Sequence, residues 1–137
     1  MVSYDTKTVK EAMRQESEGG RVVSDDIRNQ LIFLAGSRKT RSSIFTRARP
    51  TEWAPLEVRR PGSGETFTPD GAWTFIVELL RASAEIETIV LEKPPGRTGY
   101  VLICDGWQAE KIYIKLELGS GCVYGRSFHL SNRRGPL

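Results

Sequence analysis

Five residues near the end of the chain have side chains that suit the cleavage of RNA without a metal ion. They are Lys111, Tyr113, Lys115, Arg126 and His129. Cations stabilise the negative charge that develops on a phosphorus centre under attack, and tyrosine or histidine can exchange protons with the 2′-hydroxyl or the leaving 5′-oxygen. Histidine is the side chain best suited to proton transfer near neutral pH. The residue types therefore indicate phosphodiester chemistry, with Tyr113, Lys115, Arg126 and His129 as candidate catalytic residues.

The spacing of these residues predicts the strands that must position them. In the run Lys111–Leu118, apolar and polar side chains alternate, which is typical of a strand with one buried face. Its polar row is Lys111, Tyr113, Lys115 and Glu117. We expect this row on the open face of a sheet, although a solvated face without any ligand has the same pattern.

The last predicted strand, 122–129, leaves two arrangements open. One set of alternating residues is Tyr124, Arg126 and Phe128, and the other is Val123, Ser127 and His129. Because side chains on a strand point alternately to the two faces, one of these sets must meet the polar row of the preceding strand. The alternation does not decide between them.

A stretch without acidic residues precedes these strands. The chain has 20 Lys and Arg against 17 Asp and Glu, a net charge of +3 and a pI of about 9.0. No acid occurs between Asp26 and Glu52. We expect the cations of this basic arm to bind a polyanion or an acidic partner, a solvated arm being the alternative. The candidate binding residues are Arg38, Lys39, Arg41, Arg47 and Arg49, together with Lys93, Arg97 and Lys111.

Composition and cysteine usage exclude several classes of protein. With 39% apolar and 27% charged residues, the chain is typical of a globular protein. It lacks an apolar run of the roughly 20 residues that cross a membrane, and its first residues lack a secretory signal pattern, so we expect a cytoplasmic protein without a membrane partner. Cys104, Cys122 and His129 offer at most three ligands where structural zinc needs four. We expect two buried thiols on strands, no metal and no cofactor.

The elements predicted from periodicity give an α+β fold. Helical patterns occupy residues 6–17, 24–36 and 69–82, and strand patterns occupy 86–92, 100–104, 111–118 and 122–129. Short connections favour antiparallel neighbours, so we expect N-terminal helices followed by a four-stranded antiparallel sheet packed by one helix. Residues 1–60 form a helical region with the basic arm, residues 61–137 form the helix-and-sheet region, and we expect both to form one compact unit.

The segment 37–64 has no clear pattern. A structureless loop of this length is uncommon inside a compact domain. We therefore expect either a helix over residues 40–47 or a functional arm. Trp53 and Leu56 are expected to anchor its far end to the core.

The strand sequences resemble those of RelE-like bacterial toxins, nearest to the MqsR-type mRNA interferases. The residues that carry the resemblance are Lys-Ile-Tyr-Ile-Lys-Leu at 111–116 and Gly-Arg-Ser-Phe-His at 125–129, within a matching region of about 73–129. His129 stands where that family has lysine, and the helical region of about 60 residues at the start of the chain is additional. The resemblance implies a RelE-like fold and a metal-independent endoribonuclease that cleaves mRNA, at the ribosome in some cases, and is inhibited by a cognate antitoxin.

A binding protein without catalytic activity is the alternative. In that case, the chain is a small prokaryotic or phage regulator that uses the basic arm and the sheet face to bind nucleic acid or a nucleic-acid-processing complex. A helix-turn-helix transcription factor is less favoured, because the helix at 24–36 is not followed by a second recognition helix.

Overall fold

The computed structural model describes residues 23–131, and within this range the chain forms two α-helices and six strands. In chain order they are α1 Asp25–Ala35, β1 Arg41–Ser42, β2 Glu52–Trp53, α2 Pro69–Arg81, β3 Glu87–Val90, β4 Thr98–Asp105, β5 Lys111–Leu118 and β6 Val123–Leu130. Two short 3₁₀ helices lie at Arg38–Thr40 and Pro55–Glu57. The helix predicted at 6–17 falls outside the described residues.

Both described α-helices begin where their capping residues predict. The Ser24 hydroxyl accepts a hydrogen bond from the N–H of Ile27, and the Thr68 hydroxyl accepts one from the N–H of Gly71 at 2.9 Å. Pro69 at the first position of α2 lacks an N–H that would otherwise have no partner. Each cap satisfies a backbone donor that the first turn of a helix leaves free. The predictions for α1 and α2 are therefore confirmed to within one residue at their ends.

The four long strands pair as predicted, but the complete sheet is mixed. Strands β3, β4, β5 and β6 form antiparallel neighbours in that order. Both β1 and β2 then add to the outer edge of β6, each in a parallel direction. The prediction of a purely antiparallel sheet is wrong because these two-residue strands are too short to show any alternation.

The segment 37–64 does not form the helix expected at 40–47. It follows the edge of the sheet through β1 and β2, and the N–H of Ala54 donates to the carbonyl of Phe128 at 2.9 Å. Trp53 packs into the core as predicted. Leu56 does not, since it is 64% exposed on the second 3₁₀ helix.

A single hydrophobic cluster lies between the helices and one face of the sheet. From β5 it receives the three fully buried side chains Ile112, Ile114 and Leu116, which confirms the predicted inward row. Arg28 of α1 donates to the backbone carbonyls of Leu80 and Ala84, and these bonds join α1 to the end of α2. Residues from before and after position 60 share this cluster. Within residues 23–131, no helix covers the opposite face of the sheet.

Trp53 connects β2 to the core through aromatic contacts. Its ring centroid lies 5.0 Å from that of Trp73 and 5.5 Å from that of Phe128. The indole rests directly on Gly125 of β6, where an added Cβ would come within 2.5 Å of the ring. Glycine at this position therefore allows β2 to approach β6.

Neither described helix is long and apolar enough to cross a membrane.

We expect Gly125→Ala to lower the free energy of unfolding by about 1–3 kcal/mol, because the methyl group must displace the Trp53 ring. Urea unfolding followed by tryptophan fluorescence measures this change. Ser120→Ala, in the exposed turn before β6, is the matched control and should have little effect. An equal free energy of unfolding for the wild type and Gly125→Ala would show that the close contact is unimportant.

Candidate active site on the open face of the sheet

A β-bulge determines which side chains of β6 share the open face with the polar row of β5. Tyr113 pairs with His129 and Lys115 pairs with Ser127, but the register then shifts between Lys115 and Leu116. Beyond the shift, Glu117 pairs with Tyr124. The extra residue of the bulge breaks the alternation of β6, so neither set predicted from the sequence holds along the whole strand.

His129 is positioned for proton transfer at one nitrogen. Its Nδ1 lies 2.8 Å from the backbone carbonyl of Leu130, and because a carbonyl only accepts, Nδ1 must carry a hydrogen. Its Nε2 lies 3.4 Å from a carboxylate oxygen of Glu52. The Tyr113 ring stacks on the imidazole, with centroids 5.3 Å apart. Since the His129 and Glu52 side chains are 32% and 77% exposed, a substrate can reach Nε2.

Glu52 is the residue that sequence reasoning missed. It reaches His129 only because β2 pairs with β6, which places Glu52 opposite Ser127. A strand of two residues has no periodicity, and a single glutamate after a basic segment has no motif. Only the topology of the sheet indicates this pairing.

Lys115 lies half-buried beside the bulge. Burial lowers the pKa of its ammonium group, and the nearby charge of Arg126 lowers it further, against the opposing effects of Glu52 and Glu92. The Lys115 side chain has no hydrogen bond or ion pair with the described residues. It lines a cavity of about 390 Å³ together with the buried Ser127 and residues from the end of β3 and the turn after it.

Arg126 lines the same cavity, but most of its guanidinium is engaged. The side chain is 4% exposed and donates to Glu117 at 2.8 Å, to the carbonyl of Pro50 at 3.0 Å and to the carbonyl of Lys93 at 2.6 Å. These bonds fix the position of Arg126, which contributes positive charge behind Lys115. The sequence alone gave no indication of this structural role.

Glu117 is fully buried among three guanidinium groups. Arg49 donates to both of its oxygens at 3.0 and 3.1 Å, and Arg97 Nε lies 3.6 Å away. Arg49 also lies over the Tyr124 ring, 4.2 Å from its centroid. Together with Arg126, the cluster contains three guanidinium groups and one carboxylate, so its net charge is +2. A buried carboxylate is stable only with such partners.

Most cations predicted to bind a partner already have acidic neighbours. Arg38 and Arg41 both pair with Asp70 at the start of α2, and Lys111 pairs with Asp105. These neighbours lower the pKa of the Asp70 carboxyl group below its usual value, and the hydrogen bond from Arg38 is the largest cause. Among the described residues, Lys39, Arg47 and Lys93 are the predicted cations that make no ion pair.

The two cysteines are unbridged and half-buried, so the expectation of two buried thiols on strands is met only in part, by the position of Cys104 on a strand. Cys104 lies in β4, where burial raises the pKa of its thiol to about 11, and Cys122 lies immediately before β6. Within residues 23–131, no three His, Cys, Asp or Glu side chains are grouped to hold a metal ion.

No protein-family model matches this chain, and searches of the curated proteins and of the solved structures found no match.

We expect Glu117→Gln to lower the free energy of unfolding by about 3–5 kcal/mol, because it leaves the guanidinium groups of a buried cluster without their counter-charge. Guanidinium chloride unfolding monitored by circular dichroism measures the loss. Glu87→Gln, at an exposed position of β3, is the control. A similar small change for both variants would contradict the structural importance of the cluster.

Proposed function

We propose that this protein is a metal-independent endoribonuclease, a toxin of the RelE-like kind that cleaves mRNA and is inhibited by a cognate antitoxin. The observation that supports this best is the arrangement on the open face: the pair of His129 and Glu52 lies beside Tyr113, and Lys115 is two pairing positions further along β5. The resemblance of β5 and β6 to such toxins agrees with the proposal.

His129 is suited to act as the general base. With Nδ1 carrying a hydrogen, Nε2 can accept the proton of an RNA 2′-hydroxyl. The new bond forms between O2′ and phosphorus. Glu52, 3.4 Å from Nε2, then stabilises the imidazolium that results. The stacked ring of Tyr113 restricts the imidazole to this orientation.

Lys115 is suited to complete the reaction. Its ammonium group can stabilise the charge on the phosphorane and donate a proton to O5′ as the bond between phosphorus and O5′ breaks. Because its pKa is lowered, the ammonium is a stronger acid than that of an ordinary lysine. The products are a 2′,3′-cyclic phosphate and a 5′-hydroxyl, and proton exchange with water restores both side chains. The Tyr113 phenol is a second donor on this face.

A partner-binding role without catalysis is the second candidate. The loop between β1 and β2 exposes Ile44 and Phe45 at 75% and 62%, close in sequence to the unpaired Arg47. Exposed apolar side chains beside a cation are typical of an interaction surface. This surface is equally compatible with an antitoxin contact.

We expect the purified wild type to cleave a single-stranded RNA in the presence of EDTA. His129→Ala should lower the rate by about 10²–10⁴-fold, because the general base is lost. Glu52→Gln and Tyr113→Phe should have smaller effects in the same direction. Gel analysis of labelled RNA measures the rates, and induced expression in bacteria should arrest growth in the same order of severity.

Glu87→Gln is the matched control for Glu52→Gln, since both glutamates lie on short strands and are exposed. Intact RNA with every variant, including the wild type, together with unimpaired growth would contradict the endoribonuclease and favour the binding role. Activity that disappears in EDTA would contradict the metal-independent mechanism.

Burial lowers the pKa of Lys115 below the ordinary lysine value of 10.5, so its ammonium group loses its proton at a lower pH than that of an exposed lysine. We therefore expect the cleavage rate to decrease with rising pH at a pH below 10.5. Lys115→Arg keeps the positive charge but cannot donate the proton. The variant should lose about 10–100-fold in rate near neutral pH, and the alkaline fall should move to higher pH. Rates measured from pH 6 to 10, with Lys39→Arg, which lies outside the cavity that contains Lys115, as control, test this. An unchanged alkaline fall in Lys115→Arg would exclude Lys115 as the acid.

A further inference from the structure

The two edges of the sheet differ in how they are covered. β1 and β2 pair with the outer side of β6, whereas no strand within residues 23–131 pairs with the outer side of β3. An unpaired edge presents backbone N–H and C=O groups to any strand that can add to it. Globular proteins commonly protect such an edge with lysine, proline or a β-bulge. β3 has none of these, and its one charged residue, Glu87, lies at its first position.

A hydrogen bond just beyond β3 identifies the backbone groups that face outward. The N–H of Leu91 donates to the carbonyl of Arg97 at 2.7 Å, which continues the register of β3 with β4. Residues that bond to the neighbouring strand alternate along an antiparallel ladder. Ile89 therefore bonds to β4, as Leu91 does, and Thr88 and Val90 direct their N–H and C=O groups away from the sheet.

The turn between β4 and β5 gives the same alternation. The N–H of Gly106 donates to the carbonyl of Glu110 at 2.8 Å, so the even-numbered residues of β4 bond to β5 and the odd-numbered residues bond to β3. Gly99, the partner of Ile89, is odd-numbered. Two separate hydrogen bonds thus assign the same outward groups to β3.

The outer side of β3 is accessible from both faces of the sheet. Thr88 pairs with Tyr100, which packs in the core, so Val90 lies on the helix side as Thr88 does. Val90 is 76% exposed, and Ile89, on the open face, is 36% exposed. A second strand can therefore approach this edge past the described helices.

We propose that the edge pairs with β3 of a second copy of this chain, antiparallel and about a two-fold axis at Ile89. Outward groups in an antiparallel pair bond only to outward groups, which restricts the register to steps of two residues. With the axis at Ile89, Thr88 lies opposite Val90 of the second copy, and the reverse follows by symmetry. Every outward N–H and C=O of the two residues then has a partner.

The side chains and charges also fit this register. Ile89 meets Ile89 of the second copy in the closer kind of strand pair, and Thr88 meets Val90, so β-branched residues pack against each other. Glu87 lies opposite Leu91 of the second copy rather than opposite a carboxylate, which avoids the repulsion of like charges. An axis at Thr88 or at Val90 would instead place one outward residue opposite a position outside the strand Glu87–Val90.

The pairing brings both candidate sites onto one surface. A two-fold axis perpendicular to the sheet keeps the open faces of both copies on the same side. Ile89, Val90 and Leu91 also line the cavity that contains Lys115, so the second copy lies along the rim of that cavity. The inference is independent of the proposed RNA cleavage, because it depends only on the edge of the sheet. Since the paired strands are short, we expect a small interface and a dimer that dissociates on dilution.

We expect Ile89→Cys to form a disulfide between two copies of the full chain under mild oxidation. The Cα atoms of such a directly opposed pair lie about 4.5 Å apart, within the range of a disulfide. Val90→Cys is the matched control, because it is more exposed but lies diagonally from Val90 of the second copy, beyond the limit of about 7 Å. Non-reducing gels should show cross-linking about tenfold faster for Ile89→Cys. The wild type gives the background from Cys104 and Cys122.

We expect the wild type to show a monomer–dimer equilibrium in analytical ultracentrifugation. Thr88→Pro removes an outward N–H from each copy without removing a bond to β4, so the dimer dissociation constant should rise about tenfold or more. Thr88→Val retains the N–H and the branched side chain, and its dissociation constant should stay close to that of the wild type. Circular dichroism checks that both variants keep the fold.

A wild type that is monomeric at every concentration would overturn the proposal. Cross-linking of Val90→Cys that is as fast as that of Ile89→Cys would also overturn it, as would equal dissociation constants for Thr88→Pro and Thr88→Val. If Thr88→Pro does not fold, the comparison of the two cysteine variants decides. A chain whose edge pairs with a different protein would leave Ile89→Cys without a cross-link and would count against the second copy.

Discussion

The burial of the Glu117 carboxylate is the constraint on which most of the candidate site depends. A buried carboxylate without partners would cost several kcal/mol, so guanidinium groups must be held beside it. Arg126 is the most buried of them, and it also donates to the carbonyls of Pro50 and Lys93. Through this one side chain, the segment before β2 and the turn after β3 are joined to the sheet. Both border the cavity in which Lys115 lies.

The same ion cluster influences the chemistry of the face above it. Three guanidinium groups around one carboxylate leave the surroundings positive. Lys115 is half-buried and lies near Arg126 of this cluster; burial and then the charge of Arg126 lower the pKa of its ammonium group, against the opposing effects of Glu52 and Glu92. An ammonium with a lowered pKa gives up its proton more readily, yet it still attracts a phosphate. In the proposed mechanism, Arg126 of this cluster would thereby also make Lys115 a stronger acid.

The sequence predicts those parts of the fold whose causes are local. The cap at Thr68 and the alternation along β5 each lie within a few residues, and the structure confirms both. The pairing of Glu52 with His129 is not predictable in this way, because it depends on a two-residue strand that joins β6 from 71 residues earlier. The bulge in β6 is also not predictable from the sequence, because one extra residue in a strand has the same pattern as an imperfect alternation of polar and apolar residues. The candidate residues were therefore identified more readily than the geometry that relates them.

Ion pairs between residues that are distant in sequence are likewise not predictable from the sequence. They change the interpretation of the basic arm. The stretch before Glu52 has no acid in sequence, but Asp70 neutralises two of its arginines in space and Glu117 engages a third. Little of the arm is then available to attract a polyanion. Of the described cations without an ion pair, Lys93 and Lys115 line one cavity, together with Glu52 and Glu92. In the proposed mechanism, a phosphate bound in this cavity would lie beside Lys115, the proposed acid, and beside Glu52, which pairs with the proposed base His129.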